Sequence, residues 1–82
     1  MKNLVEPEKF LTVFCEQFEE PARVGVSLNS AFKEIKGWSS LQALVITVAI
    51  HEVWGISFSD DDFRRSKTIS DLLEITKAKA SS

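Results

Sequence analysis

The feature that most constrains the fold is a nearly uncharged stretch from Gly37 to Trp54. After Ser40, only His51 and Glu52 in this stretch can carry a charge. At about 100° per residue, a helix formed by this stretch is apolar on nearly all sides. Such a helix needs burial on nearly all sides, which a chain of 82 residues seldom provides. We therefore expect one apolar face of this helix to stay accessible as a contact surface.

The helical periodicity divides this stretch into two faces. The face predicted to pack on the core contains Ala43, Ile46, Ala49, Ile50, Val53 and Trp54. The opposite face carries Ser40 and the residues that we assign to partner binding: Leu41, Leu44, Val45, Val48, His51 and Glu52. In the alternative, the helix is rotated and the apolar residues of the second face belong to the core.

Two serines stand where a loop turns into this helix. Ser39 fits the N-cap position, where a side-chain oxygen accepts a hydrogen bond from an unpaired helix N–H. Gln42 follows three residues later, and its side chain is expected to complete a capping box. Ser40 is then the first helical residue, with its hydroxyl exposed beside the positive end of the helix dipole. This position suits a serine that carries a phosphate-linked group.

The residues at this junction resemble the signature of the acyl carrier protein family. The family has Asp-Ser-Leu at the start of its second helix, often after Gly-Trp, and this chain has Gly37-Trp38-Ser39-Ser40-Leu41. The likeness continues through Trp54-Gly55-Ile56, Phe58-Ser59-Asp60-Asp61-Asp62-Phe63 and Thr68-Ile69-Ser70-Asp71-Leu72. It extends in the family's order and spacing from Phe32 almost to the end of the chain.

The resemblance implies that a phosphopantetheinyl transferase attaches a 4′-phosphopantetheine arm from coenzyme A to Ser40. The arm would hold acyl intermediates as thioesters in fatty-acid or polyketide-like biosynthesis. The implied partners are acyl-loading and chain-processing enzymes. The chain is then a shuttled substrate and not an enzyme, so no catalytic residue and no metal ligand is expected. An aminoacyl or peptidyl carrier is a related alternative.

The chain departs from the family at two points. Ser39 stands where the family has an Asp that helps to arrange the metal and the serine in the modifying enzyme, so the capping role is kept and the charge is lost. The second helix offers only Glu52 where most relatives present several acids. We therefore expect partner enzymes to meet this helix with apolar surfaces, and their binding to depend weakly on salt.

The expected fold class is all-α, a four-helix bundle with a long first loop and a short third helix, forming a single carrier domain over residues 1–82. Helices are predicted over about 7–20, 40–54, 60–65 and 68–78. Pro7 suits the first turn of helix 1, and Pro21 is expected to end it. Gly55 fits the C′ position of helix 2. Two further helix starts have a capping residue and an acid three residues later: Ser59 with Asp62, and Thr68 with Asp71.

Composition and motifs argue against several other classes. A net charge of −2, from ten basic and twelve acidic residues, does not favour nucleic acid. The single Cys15 excludes an intramolecular disulfide and suits a reducing compartment. Because neither a signal-peptide core nor a bilayer-long apolar stretch is visible, we expect a cytoplasmic monomer without a membrane span. His51-Glu52 lacks the second His of a zinc-protease motif, and Asp60-Asp61-Asp62 lacks the Gly and Glu of a calcium loop.

Two alternatives to a working carrier are left open by the residues. One is a carrier that has lost its function, which the presence of Ser39 in place of Asp permits. The other belongs to a different class, a small helical adaptor that binds a protein through the same apolar face and is never modified. Intact mass after exposure to a phosphopantetheinyl transferase distinguishes the carrier from the adaptor.

Overall fold

The structure is a computed structural model that describes residues 5–18 and 25–80. These residues form four α-helices and no strand, which is compatible with the expected all-α class. The helices are α1 Pro7–Cys15, α2 Ser40–Trp54, α3 Asp60–Arg65 and α4 Ile69–Ala80, and a 3-10 helix covers Phe32–Glu34. The bounds of α2 and α3 are those expected, whereas α4 begins one residue and ends two residues later than expected. Within the described ranges, no helix has the length and apolarity needed to cross a membrane.

Helix α1 is shorter than the sequence predicted. Its last helical residue is Cys15, whereas the sequence predicted an end near residue 20. The chain then tightens into a turn in which the N–H of Phe18 donates to the carbonyl of Cys15 at 3.0 Å. This turn buries Phe18, whose ring centroid lies 5.5 Å from that of Phe14. A tertiary hydrogen bond also holds this turn, because the carbonyl of Gln17 accepts from Gln42 Nε2 at 2.6 Å. Pro21, the predicted stop, lies outside the described residues.

The core is rich in aromatic rings and receives side chains from all four helices. Its fully buried apolar members are Phe10, Phe14, Phe32, Ile46, Ile50, Ile69 and Leu72. Phe10 of α1 lies 5.7 Å from Trp54 of α2, between ring centroids. Phe32 lies 6.1 Å from Phe63 of α3 in an edge-to-face arrangement. Such pairs contribute about 0.5–1.5 kcal/mol beyond the area that they bury.

The connection between α1 and α2, of which residues 25–39 are described, is tied to the start of α4 by backbone hydrogen bonds. The first N–H groups of a helix have no partner inside the helix. Here the N–H of Ile69 donates to the carbonyl of Ser30 at 3.1 Å, and that of Ser70 to the carbonyl of Leu28 at 2.8 Å. The described part of the connection is therefore held against the helices, and this positions the residues that lead into α2.

The predicted caps of α3 and α4 are confirmed. In α3, the N–H of Asp62 donates to Ser59 Oγ at 3.2 Å, and the N–H of Ser59 donates to Asp62 Oδ2 at 2.9 Å. In α4, the N–H of Asp71 donates to Thr68 Oγ1 at 3.2 Å, and the N–H of Thr68 donates to Asp71 Oδ2 at 3.0 Å. These reciprocal bonds satisfy N–H groups that the helices leave unpaired, and they fix where both helices begin.

Candidate functional site

Ser39 caps α2, as the sequence predicted. Its backbone is extended, with φ −162° and ψ 173°, and its Oγ accepts a hydrogen bond from the N–H of Gln42 at 3.1 Å. Its carbonyl accepts the first helical bond, from the N–H of Ala43 at 3.0 Å. An N-cap hydroxyl of this kind typically contributes about 1 kcal/mol to stability. Ser39 therefore caps the helix, and Ser40 is not needed as a cap.

The side chain of Gln42 does not complete the expected capping box, so that prediction was wrong. Its Nε2 donates instead to the carbonyl of Gln17, at 2.6 Å. That carbonyl belongs to the turn after α1, which the early end of the helix at Cys15 brings into position. The bond joins the start of α2 to the end of α1. The side chain of Gln42 therefore donates to a distant carbonyl, whereas in a capping box its oxygen would accept a hydrogen bond from the N–H of Ser39.

Ser40 is the first residue of α2 and is exposed to solvent. Within the described part of the chain, its hydroxyl takes part in no hydrogen bond. It stands beside the positive end of the helix dipole, where negative charge on an attached group is favoured. The hydroxyl of Ser40 is therefore accessible to another protein and is not held in a hydrogen bond by the described residues.

Ser40 borders an open depression of about 290 Å³ in the protein surface. The other lining residues come from the connection, from α2 and from α3: Lys33, Trp38, Ala43, Asp60, Phe63 and Arg64. The depression therefore combines two cations, one carboxylate and two aromatic residues beside the serine. Sequence reasoning missed Lys33 and Arg64, because nothing in their spacing shows that the fold brings them together.

The face of α2 that bears Ser40 also presents an apolar stripe to solvent. The stripe consists of Leu41, Leu44, Val45 and Val48, whose exposed fractions are 69%, 59%, 39% and 51%. His51 and Glu52, also assigned to partner binding, are exposed beside it. His51 Nδ1 lies 3.4 Å from Ser57 Oγ. All six residues assigned to partner binding are thus on the surface, in one band with Ser40.

The opposite side of α2 is buried through Ile46, Ile50 and Trp54, which contradicts the alternative of a rotated helix. One residue was misplaced by the periodicity. Val53 was expected in the core but is 42% exposed. It lies at the border of the core face in the last turn, where the described neighbours do not cover it.

The three consecutive acids that begin α3 do not form a cation site. Asp62 turns inward, where its carboxylate accepts hydrogen bonds from Lys79 and Arg65. Asp61 pairs with Arg65 at 2.8 Å on the surface. Among the described residues, no group of three His, Cys, Asp or Glu side chains is placed to hold a metal ion.

A scan of the chain against protein-family models finds no match, and a search of curated proteins finds none either. The resemblance to acyl carrier proteins therefore depends on the ordered motifs between Gly37 and Leu72.

Proposed function

We propose that this protein is an acyl carrier, with a 4′-phosphopantetheine arm attached to Ser40. The observation that carries the proposal is the exposed and unbonded hydroxyl of Ser40 at the first position of α2. Ser39 supplies the cap, so modification of Ser40 would leave the helix start intact. We also infer that the four helices form an acyl-carrier-like bundle, whose long first loop is the connection before α2.

The residues around Ser40 fit the chemistry of attachment. In a transferase, the Ser40 oxygen would attack the phosphorus of coenzyme A that bears pantetheine. The P–O bond to 3′,5′-ADP would break, and the hydroxyl proton would pass to a base of the transferase. The product is a phosphodiester on Ser40, whose negative charge is favoured at the helix N-terminus. Once attached, the arm supplies a thiol that carries acyl groups as thioesters.

The apolar stripe would be the surface that partner enzymes contact. Leu41 is adjacent to Ser40 in sequence, and Leu44 and Val48 continue the same face along α2. An enzyme that acts on the tethered group must approach this face to reach the arm. His51 and Glu52 would mark the far end of the contact. Fatty-acid or polyketide-like biosynthesis is the proposed setting, with a cytoplasmic monomer as the working form.

Intact mass measurement tests the proposal directly. The chain is co-expressed with a broad-specificity phosphopantetheinyl transferase, alongside Ser40→Ala and Ser39→Ala variants. We expect the wild-type chain and Ser39→Ala to gain the mass of one arm, and Ser40→Ala to gain none. An unmodified wild-type chain would overturn the proposal, as would a gain of mass by Ser40→Ala.

The second candidate function is a helical adaptor that uses the apolar stripe and is never modified. The exposure of Leu44 and Val48 favours it, because large apolar side chains clustered on a surface commonly mark a protein contact. The same mass experiment separates the two functions. An adaptor stays at its unmodified mass in the presence of active transferase.

A further inference from the structure

We propose that the depression beside Ser40 binds the phosphodiester of the arm, with Lys33 and Arg64 as the two cationic groups that hold it. This inference rests on the proposed attachment at Ser40. It goes further by assigning a resting position to the base of the arm and by naming residues outside the resembling motifs. The position follows from three features of the depression: its charge, its aromatic residues and its size.

The charge of the depression suits one phosphodiester. Asp60 is the carboxylate among its lining residues, so Lys33 and Arg64 leave one positive charge in excess. Within the described part of the chain, neither Lys33 nor Arg64 pairs with a carboxylate. The adjacent Arg65, in contrast, pairs with Asp61 at 2.8 Å and is already neutralised. Cations that are not paired with a carboxylate are available to make charge-assisted bonds to phosphate oxygens.

The position of Lys33 is constrained by an aromatic ring. Its Nζ lies 5.7 Å from the ring centroid of Phe32, a fully buried residue. A cation–π contact of this kind is worth about 0.5–1 kcal/mol at an exposed site. The ammonium group is therefore held near the depression by a contact that leaves its charge unneutralised.

Two of the residues that line the depression are aromatic, Trp38 and Phe63. Trp38 lies 4.9 Å from Phe32 and 5.9 Å from Phe63, between ring centroids. The carbon chain that follows the phosphate in pantetheine carries two methyl groups, and these suit contact with aromatic rings. The depression would then hold the phosphate through Lys33 and Arg64, and the methyl groups through its aromatic rings.

The size of the depression limits how much of the arm it holds. Its volume of about 290 Å³ is just below the roughly 300–1,000 Å³ typical of ligand pockets. It is also open to solvent. The phosphodiester and the dimethyl segment would be held, and the thiol end would extend away from the protein. The thioester would thus stay accessible to enzymes that dock on the apolar stripe.

The experiment is phosphorus NMR of the modified protein. The test variant is Lys33→Gln/Arg64→Gln. The matched control is Lys36→Gln/Lys67→Gln, which removes the same charge from two exposed residues that do not line the depression. The reference is the arm-bearing peptide released when each sample is digested with trypsin in the same buffer. Mass measurement first establishes that Ser40 is modified in every sample.

We expect the ³¹P resonance of the wild-type protein to be displaced from its peptide reference and broadened. In the test variant, the displacement should shrink by more than half, and the matched control should keep it. The conservative variant Lys33→Arg/Arg64→Lys, which retains both charges, should also keep it. Added salt should move the wild-type resonance toward the peptide value, because the bonds are ionic.

The outcomes separate this inference from the proposed function. If Ser40 is modified but the ³¹P resonance of the wild-type protein lies at the position of the peptide reference, the inference is overturned and the carrier function still stands. An equal response of the test and control variants would also overturn it. If the wild-type chain is never modified, the proposed function and the inference both fail. Circular dichroism of each variant establishes that the folded state is retained.

Discussion

Lys79 Nζ donates a hydrogen bond to Asp62 Oδ2 at 2.8 Å and so joins α4 to the first turn of α3. The Asp62 side chain is 5% exposed, whereas that of Lys79 is 37% exposed. The same carboxylate accepts the N–H of Ser59 at 2.9 Å and Arg65 Nη2 at 3.1 Å. Three donors thus converge on one nearly buried acid. The arrangement holds α3, and with it Phe63, against the rest of the protein.

The substitution Asp62→Asn should therefore destabilise the fold. The amide lacks the negative charge that attracts Lys79 and Arg65, and hydrogen bonds to charged groups contribute about 1.5–3 kcal/mol. We expect a loss of roughly 1–3 kcal/mol in the free energy of unfolding by urea denaturation. The control is Asp61→Asn, which removes an exposed surface pair worth about 0–1 kcal/mol. Equal losses for the two variants would contradict this account.

Stability should also fall on acidification. Burial by itself raises the pKa of Asp62, but hydrogen bonds from Lys79 and Ser59 outweigh it and hold that pKa below its ordinary value. The backbone N–H groups of Thr68 and Lys67 lower the pKa of Asp71. A lowered pKa means that the folded state binds protons less readily than the unfolded chain. The stabilisation that each carboxylate contributes is complete above the ordinary carboxyl pKa of about 3.9. It is lost as the pH falls through the lower pKa of that carboxylate in the folded state.

Thermal unfolding between neutral pH and about pH 3 tests this dependence on the two carboxylates. The melting temperature of the wild-type protein should drop below about pH 4. In Asp62→Asn/Asp71→Asn the neutral-pH melting temperature should be lower, and the further drop on acidification should be smaller. A variant that loses as much on acidification as the wild type would show that other groups control the effect.

The local parts of the fold were predictable from the sequence, and the tertiary parts were not. The caps at Ser59 and Thr68 involve partners three residues away, so a short window of sequence contains both groups. The turn that follows α1 at Cys15 is held by a hydrogen bond from the side chain of Gln42 to the carbonyl of Gln17, which is 25 residues away in the chain. The end of a helix and the partner of a side chain such as Gln42 depend on which groups the packed structure brings together. Local pattern cannot show them.

The candidate site divides in the same way. The position of Ser40 at the helix start follows from its neighbours in sequence, and so does its exposure on the side opposite Ile46 and Ile50. The depression does not follow from them. Lys33 and Arg64 belong to the connection and to α3, two segments that are packed together through the contact of Trp38 with Phe63. A site assembled from three segments has no signature in any one of them.

The two faces of α2 should respond oppositely to truncation. Leu44 is 59% exposed, and Ile50 is fully buried. We expect Ile50→Ala to reduce the free energy of unfolding by about 2–5 kcal/mol, because it removes buried contacts and leaves a cavity. Leu44→Ala should change it by less than about 0.5 kcal/mol. Urea denaturation of both variants measures the difference, and a large loss for Leu44→Ala would show that its face is packed.

The two serines at the start of α2 should also separate by role. Ser39→Ala removes the acceptor for the Gln42 N–H and should lower stability by about 1 kcal/mol. Ser40→Ala removes a hydroxyl that makes no hydrogen bond among the described residues, so its stability should match that of the wild type. Denaturation with urea of the unmodified proteins provides the comparison. If Ser40→Ala loses as much free energy of unfolding as Ser39→Ala does, the hydroxyl of Ser40 makes a stabilising interaction in the folded protein.

Partner binding through the apolar stripe should depend weakly on salt. Glu52 is the one acid in the sequence of α2, and the exposed side chains of Leu44 and Val48 carry no charge. Between about 50 mM and 500 mM salt, we expect the Kd for a bound phosphopantetheinyl transferase to change by less than about threefold, since only charge–charge attraction is screened. Isothermal titration with the Ser40→Ala chain, which cannot be modified, gives this Kd. Leu44→Ser should weaken binding more than Glu52→Gln does. A steep loss of affinity with salt, or a dominant effect of Glu52→Gln, would show that charge and not apolar contact governs the interface.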